Sequence, residues 1–164
     1  MANATRDPLF WAALDVANHD LPGVGDWCLR CHTPSGWLAG RAGKNAQGIV
    51  VAGGETGCRL TGDHDDYENY DSGFNGNDYG GVSCHLCHRQ QATGALPEGV
   101  RRDSGNLFID DRLDCEDGGF GPCRIGPYRY PEEGISAPPH AAAYSAFVKR
   151  GEFCGSCHDV TTPI

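Results

Sequence analysis

Apolar and polar positions keep a regular period in only a few short stretches of this chain. Leu9, Phe10, Ala13, Leu14 and Ala17 recur at the three-and-four spacing of one helical face. Asp7-Pro8 in front of them reads as an N-cap followed by proline at the first helical position. A helix over about residues 8–19 is predicted, with Leu21-Pro22-Gly23 as its stop. Residues 33–62 are rich in glycine and small side chains, and their one apolar run, Gly48–Ala52, reads as strand-like. Residues 62–81 form an acidic loop dotted with aromatics. Residues 94–137 show no period and carry turn signals at Gly118-Gly119, Gly121-Pro122 and Gly126-Pro127. Pro139 opens a second predicted helix, with His140, Tyr144, Phe147 and Val148 on one face and Gly151 as its stop.

Composition sharpens this picture. The 164 residues are one domain's worth of chain. Hydrophobic residues make up 39%, with 24 Gly and 10 Pro, which is lean for building a core from side chains. The net charge of −9 argues against nucleic acid or an anionic membrane surface as partner. It suits basic partners or plain solubility. No run of about 18 apolar residues exists, so no membrane span is expected.

Three copies of Cys-x-x-Cys-His supply the chemistry. They are Cys28-Leu29-Arg30-Cys31-His32, Cys84-His85-Leu86-Cys87-His88 and Cys154-Gly155-Ser156-Cys157-His158. The string is the attachment site of a c-type haem, in which two thiols add across the vinyl groups and the adjacent histidine binds iron. On a helical turn, positions i, i+3 and i+4 share one face, so all three side chains can meet one flat macrocycle. Three haem c groups would also supply the apolar bulk that the side chains lack. Without them the chain is expected to be largely unfolded. The motifs lie 56 and 70 residues apart, too unequal for an internal repeat.

His32, His88 and His158 are the expected proximal iron ligands. His140, His64 and His19 are candidates for the distal side. His85, between two thioether cysteines, is expected to reach only a neighbouring or inter-subunit haem. The lone methionine is Met1, so bis-His irons of low potential are expected. Cys58, Cys115 and Cys123 lie outside the motifs. Cys115 and Cys123 flank a Gly-rich turn and are the favoured disulfide, leaving Cys58 over, although Cys58 can also pair with either one. Asp63, Asp65, Asp66, Glu68, Asp71 and Asp78 offer hard oxygen ligands for calcium, but their spacing is not that of an EF-hand, and a solvated loop is the plainer account. Arg30, Arg41, Lys44, Arg89, Arg124 and Arg129 are candidate propionate partners. Trp11, Trp27, Trp37 and Tyr128 are candidates for packing against porphyrin.

Gly81-Val82-Ser83-Cys84-His85-Leu86-Cys87-His88 resembles the haem sites of bacterial multihaem c-type cytochromes, and so does Phe153–Val160. The opening Asp7–Ala17 and Cys28–Trp37 also look like this group. The resemblance implies a multihaem cytochrome c-like fold, mostly irregular with a few short α-helices and a core organised by covalently bound haems. It divides residues 1–164 as one triple-haem domain, with haem 1 at about 1–50, haem 2 at about 51–125 and haem 3 at about 126–164. It further implies an electron carrier exported to the periplasm or the cell exterior, passing electrons to redox proteins or to copies of itself. Residues 1–27 carry no signal peptide and the chain stops six residues after His158, so a mature form or a fragment of a longer chain is expected. The competing readings are a reductase module with one open iron, zinc binding by the Cys/His groups, and a haem-based sensor.

Overall fold

The computed structural model describes residues 1, 3–43, 51–62, 77–92, 103–110, 115, 123–130 and 134–161. They fall into two compact units, Met1–Leu86 and Cys87–Ile164.

In the first unit, helix α1 spans Pro8–Asp20, and the Asp7 carboxylate accepts the Leu9 N–H at 2.9 Å, as the capping pattern predicts. Helix α2 spans Gly25–His32, and the short α3, Pro34–Leu38, follows with proline at its start. Leu14 of α1, Leu29 of α2 and Ala42 are buried together, with Phe10, Trp11, Cys28, Trp37 and Leu60 packed against them. The indoles also satisfy their N–H groups. Trp11 donates to the Thr5 carbonyl at 2.7 Å, and Trp37 donates to the Asp26 carboxylate at 2.9 Å. Helix α2 starts close against its surroundings: a Cβ on Gly25 would lie 1.9 Å from the Glu55 carbonyl oxygen. Asn18 joins the two segments, accepting from Gly25 N–H and donating to Glu55 C=O, each at 2.9 Å.

A 3-10 turn at Asp78–Gly80 closes this unit. The Asp78 carboxylate, only 1% exposed, accepts both prongs of the Arg41 guanidinium at 2.6 and 2.5 Å. It also accepts the Thr61 amide at 2.8 Å and the Thr61 hydroxyl at 3.2 Å. That carboxylate raises the Arg41 pKa above its ordinary value. A single helical turn, α4 (Cys84–Cys87), ends the unit and carries the chain into the next.

The second unit contains a parallel two-stranded ladder, β1 (Arg124–Gly126) on β2 (Ala142–Tyr144), with Ile125 opposite Ala143. A 3-10 turn, Ala146–Lys149, leads into helix α5, Gly151–His158. Phe147 is buried and meets Phe153 edge-on at 5.5 Å. Cys115 and Cys123 form a disulfide, the pairing favoured from sequence.

The helix predicted from Pro139 does not form. Ala142–Tyr144 is strand, and helix begins at Gly151, the residue expected to end it. Pairing with β1 outweighs the apolar spacing, a non-local effect. Ser145 then caps a separate 3-10 turn, its hydroxyl accepting from Phe147 N–H at 3.3 Å. Of the expected strand at Gly48–Ala52, Val51 and Ala52 are described, and Ala52 already lies in a run of turns. Gly48–Val50 lie outside the described residues.

Buried apolar residues are sparse. Among the described residues they are Leu14, Leu29, Ala42 and Leu86 in the first unit, and Cys123, Ile125, Ala141 and Phe147 in the second. Leu9, Val16 and Leu21 stay exposed on or beside α1.

Candidate cofactor-attachment sites

Each Cys-x-x-Cys-His string sits on a helical turn: the first in α2, the second in α4 with His88 just after it, the third in α5. In each, one residue between the cysteines is buried and anchors the turn: Leu29, Leu86 and Ser156. The thiols stay nearer the surface. Cys84 and Cys154 are exposed, Cys28, Cys31, Cys87 and Cys157 are half-buried, and none of the six is in a disulfide. Burial pushes the Cys28 thiol pKa up, partly offset by a backbone hydrogen bond.

Two motif histidines have Nδ1 near a backbone carbonyl. His88 Nδ1 lies 2.6 Å from the Ile125 carbonyl oxygen, while Ile125 N–H donates to the His88 carbonyl at 2.7 Å. With its proton on Nδ1, such a ring presents the Nε2 lone pair to a metal. The His32 ring stacks flat on Phe10, centroids 3.9 Å apart, with Nδ1 at 3.4 Å from the Ala4 carbonyl, a weak contact. His158 is exposed at the end of α5. Helical cysteine pairs outside disulfides and an Nδ1-anchored histidine fit covalent haem. The two thiols would bond to the ring edge and the histidine to its iron.

The remaining histidines are placed separately. His140 is half-buried, with Nδ1 3.0 Å from the Ala141 carbonyl. His19 is exposed in the last turn of α1. His85 is half-buried in α4, and His64 lies outside the described residues. Among the described residues, no three His, Cys, Asp or Glu side chains converge as a tetrahedral zinc site would require. Thioether attachment needs no such convergence.

Backbone hydrogen bonds link the residues just after the second motif to the third motif. Residues 103–110 form a strap between them, within the second unit. At one end Gln91 N–H donates to Phe108 C=O at 2.8 Å, Asp110 N–H to Arg89 C=O at 3.3 Å, and Gln90 bridges Ile109. At the other end Gly105 N–H donates to Ser156 C=O at 2.7 Å and Ser104 N–H to Asp159 C=O at 2.8 Å. Gln90 also donates directly to the Ser156 hydroxyl, both residues being buried. Ser104 sits at φ 51°, a left-handed conformation unusual for serine, and exchanges hydrogen bonds with Thr161 at 3.0 and 3.3 Å. The turn-forming run Asp103-Ser104-Gly105-Asn106 is the signal that could have pointed to a fold-back here.

Several candidates have other duties. Asp78 is committed to Arg41 and Thr61, which takes it out of the calcium set; Asp63, Asp65, Asp66, Glu68 and Asp71 lie outside the described residues. Arg30 pairs with Asp26 at 2.9 Å and lies over Trp37, Arg89 donates to Asp110 C=O at 3.2 Å, and Arg129 lies over Tyr144. Arg124 is half-buried in β1, and Lys44 lies outside the described residues. Trp11 and Trp37 pack on the first unit's core, Trp27 is half-buried, and Tyr128 is exposed beneath Lys149. Cys58 is exposed and outside any disulfide. Among the described residues, no helix is long and apolar enough to cross a membrane. No family model, curated protein or solved structure matches this chain.

Proposed function

We propose that this chain is an exported electron-transfer protein carrying three c-type haems, bis-His and low in potential, that relays single electrons between redox partners or along a polymer of itself. The observation that carries the reading is the placement of three Cys-x-x-Cys-His strings on helical turns, the second with its histidine ring anchored through Nδ1. Cys28 and Cys31, Cys84 and Cys87, and Cys154 and Cys157 would form the thioethers. His32, His88 and His158 would bind iron, and His140, His64 and His19 are the distal candidates. Haem held in this way supplies a one-electron couple and makes or breaks no substrate bond. The protein's part is to anchor each helical turn through Leu29, Leu86 or Ser156, to orient each imidazole, and to hold neighbouring sites at fixed spacing. Within the second unit the 103–110 strap, which links Arg89 and Gln91 to Ser156 and Asp159, would contribute to this.

The test is intact-mass analysis after expression with export and cytochrome c maturation. The expected mass exceeds the chain by three haems, and the colour survives acid-acetone extraction. Changing Cys28 and Cys31 of the first motif to alanine removes one haem. A bare-chain mass overturns the proposal. In reduced protein, absence of carbon monoxide binding matches closed bis-His irons, whereas a high-spin, carbon monoxide-binding iron turns the reading toward a reductase module.

A further inference from the structure

We propose that the Cys115–Cys123 disulfide is a positioning element for His88, acting through strand β1, and so helps to set the reduction potential of the second haem. This inference rests on the haem reading above. Cys123 is buried and directly precedes β1. Ile125, two residues on, is also buried, and its N–H and C=O both engage His88, at 2.7 Å and 2.6 Å. On the opposite edge, Arg124 N–H donates to Ala141 C=O at 3.1 Å and Gly126 C=O accepts from Ser145 N–H at 2.8 Å. The strand is thus gripped along both edges, by β2 and by the histidine of the second motif. A two-stranded ladder of this length is marginal by itself. The disulfide ties the chain to Cys115 where it enters the strand, one residue before the paired segment. A carbonyl aimed at Nδ1–H enriches the electron density at Nε2, which favours oxidised iron and lowers its potential. Loosening the strand entry lengthens that hydrogen bond, so the potential rises.

The experiment compares the exported, haem-loaded protein with its Cys115→Ser/Cys123→Ser variant, using Cys58→Ser as a control. The readouts are intact mass, redox titration and hydrogen exchange of the peptide containing Ile125. In the double variant, three haems are retained, one of the three one-electron steps moves to higher potential, and the Ile125 peptide exchanges faster. Cys58→Ser changes none of these. Three unmoved potentials at full haem content overturn the inference, and so does a uniform shift of all three with loss of helical circular dichroism, which marks general loosening. If the variant fails to accumulate, the disulfide of the loaded parent is opened with a phosphine, the thiols are capped, and the same titration decides. Parent protein without haem refutes the underlying reading instead.

Discussion

Asp78 shows how one side chain can hold a segment that has almost no regular structure. Its carboxylate is nearly sealed from water and takes four hydrogen bonds, two from Arg41 and two from Thr61. Asp78→Asn should cost about 2–3 kcal/mol of stability in thermal melts, because it leaves the partly exposed Arg41 facing an amide. In an Asp78→Asn/Arg41→Gln cycle the two losses should fall short of additive. Next to it, burial raises the Tyr79 phenol pKa, with Asp78 and then Cys58 adding to the effect. The folded state therefore binds the phenolic proton more tightly than the unfolded chain does. The associated stability is complete below the ordinary tyrosine pKa near about 10 and is lost as pH rises past it. Tyr79→Phe should remove that part of the alkaline decline in melting temperature. None of this was legible beforehand. Asp78 counted as one more charge in an acidic loop, and Arg41 lies 37 residues away.

At the scale of elements, what was legible was local. Helix α1 was readable because its cap, its proline and its apolar stripe all lie within its own residues. The motif turns were readable because the Cys-x-x-Cys-His spacing puts three side chains on one helical face. The predicted second helix failed because its residues pair with β1, far off in sequence. The start of α2 was hidden for the same reason, since Gly25 is required by the carbonyl of Glu55. Gly25→Ala must push the segments apart at a cost of about 1–3 kcal/mol, seen as a lower melting temperature. Ser156→Ala should cost about 1–2 kcal/mol, because it leaves the buried Gln90 amide without its hydroxyl acceptor. If both variants melt like the parent, these contacts carry no weight in the fold.

For the whole molecule, the lean composition points to an interior that side chains do not fill by themselves, and among the described residues the buried apolar side chains are few. A chain whose six motif cysteines are all changed to alanine should lose most of its helical circular dichroism signal, and the parent should keep it. A variant that stays folded would mean the polypeptide is sufficient in itself. Apart from the turn signal at its start, the 103–110 strap was hidden, because it is recorded in backbone hydrogen bonds of an irregular stretch and not in side-chain pattern. If the motifs carry haem as proposed, its consequence concerns maturation. A ribbon stitched to the residues just after the second motif and to Ser156 and Asp159 of the third would make their ordering a shared event: filling either one would remove conformational freedom that the other would otherwise lose on its own. Occupancy of the third site should then fall when the second is disabled, and mass spectra of partially loaded chains should hold fewer singly filled members of this pair than independent filling allows.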